Sequence, residues 1–257
     1  MKVVILCGGL GTRLAEETSL IPKPMVEIGG KPILWHIMNI YSHYGYNEFV
    51  IALGYKGSKI KEFFLNYRNL ESDITIDLKS GDTIVQPTST RNWTVHLVDT
   101  GLNTLTGGRI KRLTPFLKDA PFMVTYGDGV ANVDIEKLVA FHKSKGKIGT
   151  VTAVKPNARF GGIKFDSDIV TDFEEKPQSG EGFINGGFFV FEPAILDLII
   201  DDNTILEHDP LKYLVTNNEL AAFSHEGFWQ CMDTIREKHL LQNLWENNDA
   251  HWKIWED

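Results

Sequence analysis

The first 24 residues, MKVVILCGGLGTRLAEETSLIPKP, constrain the fold more than any other stretch of the chain. An unbroken apolar run at 3–6 predicts a strand that is buried on both faces of a parallel sheet. A glycine-rich turn follows at 8–11, where missing side chains let backbone N–H groups approach an anion closely. Arg13 then supplies a fixed positive charge, and Lys23 stands between two prolines that stiffen its backbone. The stretch therefore predicts a polyphosphate-binding loop after the first strand.

The glycines by themselves do not identify the ligand. The turn lacks the third glycine of G-x-G-x-x-G, and no Gly-Lys-Ser/Thr follows it as in a P-loop. A Rossmann dehydrogenase would also carry an acidic residue about 20 residues later, where this chain has Pro-Lys-Pro. The structural alternative is a tight strand-to-helix turn with a solvated Lys23.

The order of predicted elements indicates an α/β fold. Strands and helices alternate over 1–150, which predicts a doubly wound, mostly parallel (mixed) sheet with a Rossmann-like nucleotide-binding half. From Lys155 onward short strands predict a smaller antiparallel section, and 79–93 is predicted to be an irregular loop. No repeat or linker divides the chain, so we expect a single domain over 1–257. Ligands should bind beyond the carboxyl ends of the parallel strands.

Composition limits the class of ligand and the compartment. The net charge is −8, which does not favour nucleic acid, so a bound triphosphate must be held by local donors and metal. The two cysteines, Cys7 and Cys231, show no metal-ligand spacing and suit a reducing compartment. No apolar run approaches the roughly 20 residues that span a membrane, and no leader is visible. We expect a soluble, cytoplasmic protein that makes no membrane contact.

Two aspartates are candidate metal ligands. Asp128 follows an apolar strand and lies between two glycines, a position suited to Mg²⁺ and equally to a turn. Asp233 precedes the last predicted helix, where it is either a metal ligand or the helix N-cap.

Four motifs, taken together, resemble those of the sugar-nucleotide pyrophosphorylases. They are G-G-L-G-T-R-L…P-K-P at 8–24, Y-G-D at 126–128, E-K-P at 175–177 and W-x-x-x-D at 229–233. The resemblance covers almost the whole chain and implies transfer of a nucleotidyl group from a nucleoside triphosphate to a sugar 1-phosphate. It implies Arg13 and Lys23 as catalytic residues. The nucleotide-binding residues that it implies are Leu6, Cys7, Gly8, Gly9, Leu10, Gly11, Thr12, Arg13, Lys23, Thr104, Arg109 and Asp128.

The resemblance also implies the remaining parts of the site. Mg²⁺ would be held by Asp128 and Asp233 as a cofactor. The sugar phosphate would be bound in the antiparallel section by Gly162, Glu175, Lys176 and Asn185. Members of the family are usually homo-oligomers, so a homo-oligomer is expected here.

One branch of the family is matched most closely. Related thymidylyltransferases read R-L-x-P-x-T where this chain has R-L-A-E-E-T, and T-G-L-N-T-L-T-G-G-R at 100–109 is similar to the branch that uses CTP and glucose 1-phosphate. This resemblance implies CDP-glucose as product, as a first step towards CDP-linked deoxysugars of surface polysaccharide such as lipopolysaccharide O-antigen. Arg109 would donate to O2 or N3 of cytosine, its alternative being a helix-end or surface charge. A uridylyl- or thymidylyltransferase and a non-catalytic sugar-nucleotide-binding protein are the other hypotheses.

Overall fold

The computed structural model describes residues 1–87, 91–155, 162–166, 169–174 and 182–256. The strands are β1 (Val3–Cys7), β2 (Glu27–Ile28), β3 (Lys31–Pro32), β4 (Glu48–Leu53), β5 (Ser72–Ile76), β6 (Thr83–Pro87), β7 (Thr94–Asp99), β8 (Phe122–Tyr126), β9 (Gly129–Ala131), β10 (Gly149–Val154), β11 (Gly162–Asp166), β12 (Ile169–Glu174), β13 (Ile184–Asn185), β14 (Phe189–Phe191), β15 (Leu220–His225) and β16 (Trp229–Cys231). The α-helices are α1 (Ala15–Thr18), α2 (Ile33–His43), α3 (Gly57–Leu70), α4 (Thr106–Arg112), α5 (Thr114–Leu117), α6 (Ile135–Lys145), α7 (Asp209–Thr216) and α8 (Ile235–Glu246). Short 3-10 helices cover Thr12–Leu14, Lys23–Met25 and Pro193–Leu198.

The main sheet has the order β13-β10-β14-β8-β1-β4-β7, and β15 pairs in parallel with β10. The half of the sheet that contains β1 is parallel, because β1 runs parallel to both β4 and β8, and β4 runs parallel to β7. The strands β13 and β14 are antiparallel to their neighbours. The predicted α/β class with a mixed, mostly parallel sheet is confirmed. Strand β1 is an interior strand of this sheet, third from the edge formed by β7, so the glycine-rich loop leaves the sheet away from its edges.

Strand β1 is buried on both faces, as its apolar run predicts. Val3, Ile5 and Cys7 belong to one hydrophobic cluster, and Val4 and Leu6 belong to the cluster on the opposite face. Because alternate residues of a strand point to opposite faces, this distribution requires helices on both sides of the sheet. The glycine-rich loop is therefore anchored by a strand that is packed on both sides.

The antiparallel section is less separate than the sequence suggests. Among the described residues of this section, β11 and β12 form a hairpin of their own, while β13 and β14 extend the main sheet. The predicted loop at 79–93 is wrong in part, because β6 pairs with β5 as a hairpin. Asp77 accepts hydrogen bonds from the backbone N–H groups of Lys79 and Ser80, and these bonds close the turn between the two strands.

The sequence predicts a loop over 100–109 that opens a helix over 110–116, but α4 begins earlier, at Thr106, and the short helix α5 follows it. Gly107 and Gly108 look like loop residues in the sequence, but here they permit close packing. A Cβ at Gly107 would lie 2.8 Å from the carbonyl oxygen of Thr204, and one at Gly108 would lie 2.6 Å from the Cα of Asp202. Within the described residues, no helix combines the length and the apolar character needed to span a bilayer.

The C-terminal tryptophans pack onto the body of the same chain. Trp252 is 1% exposed and stacks on Phe228 at a ring-centroid distance of 5.5 Å. Its indole N–H donates to Nδ1 of His36 at 3.3 Å, and His36 Nε2 donates to the carbonyl of Ile28 at 2.8 Å. Burial lowers the pKa of His36 to about 4, so the ring is neutral near pH 7 and accepts this bond. The chain end is therefore part of the core.

Trp252→Ala is expected to lower the free energy of unfolding by about 3–5 kcal/mol, since it removes a fully buried aromatic side chain. Denaturant titration followed by circular dichroism measures this loss. Leu65→Ala is the control, because Leu65 is 81% exposed and its removal should change stability by about 0.5 kcal/mol or less. Equal midpoints for the two variants would contradict the prediction.

Candidate active site

A cavity of about 320 Å³ opens at the carboxyl ends of β1 and β8. Its volume lies in the range of small-molecule sites. Leu10 is the one residue of the predicted nucleotide-binding set that is outside the lining, and its side chain is 54% exposed. The lining residues are Leu6, Cys7, Gly8, Gly9, Gly11, Thr12, Arg13, Lys23, Pro24, Thr104, Leu105, Thr106, Arg109, Tyr126, Gly127 and Asp128. The structure thus gathers most of that set around one space.

Arg109 lies behind the glycine-rich loop and is 5% exposed. Its guanidinium donates to the carbonyls of Gly8 (2.9 Å), Leu53 (3.1 Å) and Gly101 (2.7 Å). It also donates to the hydroxyl of Thr100 at 2.8 Å and to the carbonyl of Leu102 at 3.3 Å. The alternative of a surface charge is therefore wrong. Arg109 joins the ends of β1 and β4 to the loop that follows β7.

Gly8→Ala is expected to lower the free energy of unfolding by about 1–3 kcal/mol, as in other overpacked sites. A Cβ at Gly8 would lie 2.1 Å from Cζ of Arg109, and the guanidinium cannot move without losing its carbonyl partners. Gly9→Ala is the matched control, because a Cβ there meets nothing within 4 Å. Thermal melts of the two ligand-free variants test this, and equal melting temperatures would contradict it.

Lys23 is 9% exposed and points between the two predicted metal ligands. Its Nζ lies 2.6 Å from Oδ2 of Asp128 and 2.5 Å from Oδ1 of Asp233. Burial lowers the pKa of Lys23, but the charge and hydrogen bonds of the two aspartates outweigh burial, so the pKa lies above its ordinary value. The ammonium is charged, and the alternative of a solvated lysine is wrong.

Asp233 is not the N-cap of the last helix. Thr234 is the cap, since its hydroxyl accepts from the backbone N–H of Glu237, and the Glu237 carboxylate accepts from the N–H groups of both Thr234 and Asp233. The carboxylate of Asp233 therefore has no capping role and contacts two residues that line the cavity. Besides Lys23, it accepts from Nη1 of Arg13 at 2.6 Å, although the Arg13 side chain is 71% exposed. Arg13, Lys23, Asp128 and Asp233 form a neutral cluster of two cations and two anions.

Strand pairing brings the two aspartates together. Asp128 directly precedes β9, β9 pairs with β16, and the N–H of Met232 donates to the carbonyl of Asp128 at 2.8 Å. The two carboxylates share one cation, the Lys23 ammonium, and such oxygen donors suit Mg²⁺. Within the described part of the chain, no group of three or more His, Cys, Asp or Glu side chains has the geometry of a metal site. The residues therefore fit a metal that completes its coordination with water and substrate phosphates.

The cysteines near the cluster are unreactive. Burial raises the pKa of the Cys7 thiol well above its ordinary value, and it raises the pKa of Cys231 to about 12. Both thiols are protonated near pH 7, and a protonated thiol is a poor nucleophile. The cluster is built for charge stabilisation.

The predicted sugar-phosphate residues are only partly described. Gly162 begins β11, and Glu175 and Lys176 lie outside the described residues. The amide nitrogen of Asn185 donates to the hydroxyl of Tyr126, which lines the cavity, at 3.2 Å. Sequence reasoning missed the Tyr126 side chain, although the Y-G-D motif contains it, and missed Glu207, which belongs to no motif.

Comparison with known proteins agrees with this geometry. The family model of the nucleotidyl transferases matches residues 2–234. A glucose-1-phosphate cytidylyltransferase of Salmonella typhi is 52% identical over 257 residues, which is the full length of both chains. A probable glucose-1-phosphate cytidylyltransferase of Bacillus subtilis (strain 168) is 44% identical over 99% of this chain and 100% of its own. In fold, the chain is similar to the crystal structure of HddC from Yersinia pseudotuberculosis, with a TM-score of 0.70, 24% identity and coverage of 95% of this chain and 99% of that one. The chain belongs to the nucleotidyl transferase family, in the branch of the glucose-1-phosphate cytidylyltransferases.

Proposed function

We propose that this protein transfers the cytidylyl group of CTP to α-D-glucose 1-phosphate, giving CDP-glucose and pyrophosphate, and that the whole chain acts as one catalytic domain. The observation that carries the proposal is the cluster of Arg13, Lys23, Asp128 and Asp233 beside a cavity lined by the glycine-rich loop. The full-length relative named for this activity supports the choice of substrates.

The reaction needs positioned charges and no general base. A phosphate oxygen of the sugar phosphate attacks the α-phosphorus of CTP in line, and the bond from that phosphorus to the bridging oxygen of pyrophosphate breaks. The attacking oxygen is ionised near pH 7, because the second pKa of a phosphate monoester is about 6. Catalysis then consists of orientation and stabilisation of developing negative charge.

Each phosphate of CTP has its own binding groups, which come from Arg13, Lys23 and the glycine-rich loop. Arg13 and the N–H groups at 8–12 hold the β- and γ-phosphates. Lys23 turns from the aspartates towards the α-phosphate. The Nζ of Lys23 can reach this phosphate because Lys23 already lines the cavity. Lys176 places the phosphate of the sugar, while Glu175, Gly162 and Asn185 contact the hexose.

Asp128 and Asp233 would hold the divalent metal that the family generally uses, and we propose Mg²⁺. When bound, such a metal offsets charge on the reacting phosphates and orients them. The carboxylates are pre-aligned for it, because each already accepts a hydrogen bond from the Lys23 ammonium.

Cytosine selection would depend on Arg109 and Thr104. Cytosine offers an amine donor at N4 and acceptors at N3 and O2. The carbonyls of Gly8 and Gly101 are fixed by Arg109, and an N4 amine can donate to a carbonyl of this kind. The Nη protons of Arg109 are directed at its five protein acceptors, so its contact with O2 or N3 would come from Nε–H. Thr104, which is 6% exposed, contacts the nucleotide.

We further propose a cytoplasmic homo-oligomer that supplies CDP-glucose for CDP-linked deoxysugars. Exposed apolar side chains on the β5–β6 hairpin, such as Ile76, Leu78 and Ile84, support self-association. Light scattering on the purified protein measures the oligomeric state.

Pyrophosphate release with Mg²⁺ and glucose 1-phosphate tests the activity, with CTP, UTP, dTTP, ATP and GTP offered in parallel. Release with CTP alone would establish the proposal. Release with UTP or dTTP would keep the mechanism and overturn the base selection. Silence with all five, followed by silence with a panel of sugar 1-phosphates, would indicate a sugar-nucleotide-binding protein without activity.

A further inference from the structure

A carboxylate behind the cavity wall joins two residues that line the cavity. Glu207 lies just before α7 and is not part of the cluster of Arg13, Lys23, Asp128 and Asp233. Its Oε1 accepts from the hydroxyl of Tyr126 at 2.5 Å, and its Oε2 accepts from the hydroxyl of Thr106 at 2.7 Å. Tyr126 ends β8 and Thr106 begins α4, so one side chain connects two walls of the cavity. Glu207 has no role in the transfer reaction proposed above.

The carboxylate of Glu207 decides which groups around it are hydrogen-bond donors and which are acceptors. A carboxylate can only accept, so Tyr126 and Thr106 must both donate their hydroxyl protons to it. The Tyr126 oxygen is then left with lone pairs, and it accepts from Nδ2 of Asn185 at 3.2 Å. The Asn185 Oδ1 accepts from the N–H of Gly187 at 2.9 Å, which fixes the orientation of the amide.

The last side chain in this series of hydrogen bonds is Asn185. Asn185 is exposed, and one of its two amide protons is used by Tyr126. The second N–H of this amide points away from that bond, and within the described residues it has no acceptor.

We propose that Glu207 is a positioning residue for the sugar phosphate, acting through Tyr126 to present the amide N–H of Asn185 to a hydroxyl oxygen of the hexose. The inference rests on the proposed function, because it assumes a sugar phosphate beside Asn185. It predicts that substitution of Glu207 weakens binding of the sugar phosphate more than binding of the nucleotide.

Glu207→Gln tests the inference with almost no change in shape. Glutamine has one side-chain oxygen where the carboxylate has two, so it can accept at only one of the positions that Oε1 and Oε2 hold and must place an NH2 donor at the other. The KM for glucose 1-phosphate is expected to rise about tenfold, while kcat and the KM for CTP change by less than about threefold, since one hydrogen bond of roughly 1.4 kcal/mol corresponds to a factor of ten. Asp202→Asn is the matched control, because it makes the same exchange in the same segment at an exposed ion pair with Arg112.

Tyr126→Phe is the second variant in this test. It removes the hydroxyl that connects Glu207 to Asn185, and the phenylalanine ring can be buried in place of the tyrosine ring. If Glu207 acts through Tyr126, the double variant should have the same KM for glucose 1-phosphate as the more affected single variant. Additive effects, an unchanged KM for the sugar phosphate, or equal rises in both KM values would overturn the inference while leaving the function intact. A wild-type protein that is inactive with every sugar phosphate would overturn the function and the inference together.

Discussion

Replacing Lys23 with methionine is expected to lower kcat about 10²–10³-fold, the usual effect of removing one preorganised donor to transition-state charge. The same variant, without nucleotide, is expected to bind Mn²⁺ about tenfold more tightly than the wild type. The reason is that the Lys23 ammonium lies 2.6 Å from Asp128 and 2.5 Å from Asp233, where the metal would also bind. Two positive groups cannot share that position, and the neutral methionine removes the competitor.

Electron paramagnetic resonance of free Mn²⁺ measures the affinity without any turnover, and the pyrophosphate assay measures kcat. Lys59→Met is the control for loss of a lysine charge, because Lys59 is half exposed and pairs with Glu62 on the surface of α3. Weaker or unchanged Mn²⁺ binding in Lys23→Met would show that the ammonium and the metal do not compete. An unchanged kcat would remove Lys23 from the catalytic residues.

The features beside the cavity that the sequence predicts and the structure contains depend on short stretches of sequence. The run from Val3 to Lys23 contains a strand, a turn and a stiff lysine, and each follows from local propensity. The fold class follows in the same way, because alternating elements leave few topologies. The partners of Lys23 were not predictable from spacing, since Asp128 and Asp233 are 105 and 210 residues away.

The features that the sequence does not predict occur where tertiary contacts decide the role of a residue. Gly107 and Gly108 have the composition of a loop, but the neighbouring backbone at 202–204 makes them packing positions in a helix. The guanidinium of Arg109 is buried, because it donates to five backbone and hydroxyl oxygens that come from three separate segments. Glu207 has no local signal, because its role depends on two residues that lie 81 and 101 positions earlier.

Asp233→Asn is expected to lower kcat at saturating CTP by at least about 10²-fold at a fixed, low Mg²⁺ concentration. The amide is a weaker ligand for Mg²⁺ than a carboxylate, and it also leaves Lys23 and Arg13 with one negative partner fewer. The fold should persist, because the Asp233 backbone N–H still donates to Glu237 and Thr234 still caps the last helix.

Titration of activity with Mg²⁺ separates the two contributions of Asp233. If the residue acts as a metal ligand, the Mg²⁺ concentration that gives half-maximal activity should rise at least tenfold in Asp233→Asn, and excess Mg²⁺ should restore part of the rate. If Asp233 serves only to hold Lys23 and Arg13, this concentration should stay at the wild-type value and excess metal should restore nothing. Asp249→Asn is the matched control, because Asp249 pairs with His251 on the surface and its substitution should leave both quantities unchanged. A rise in the half-maximal Mg²⁺ concentration would thus assign the carboxylate to the metal, and a flat response would assign it to the two cations.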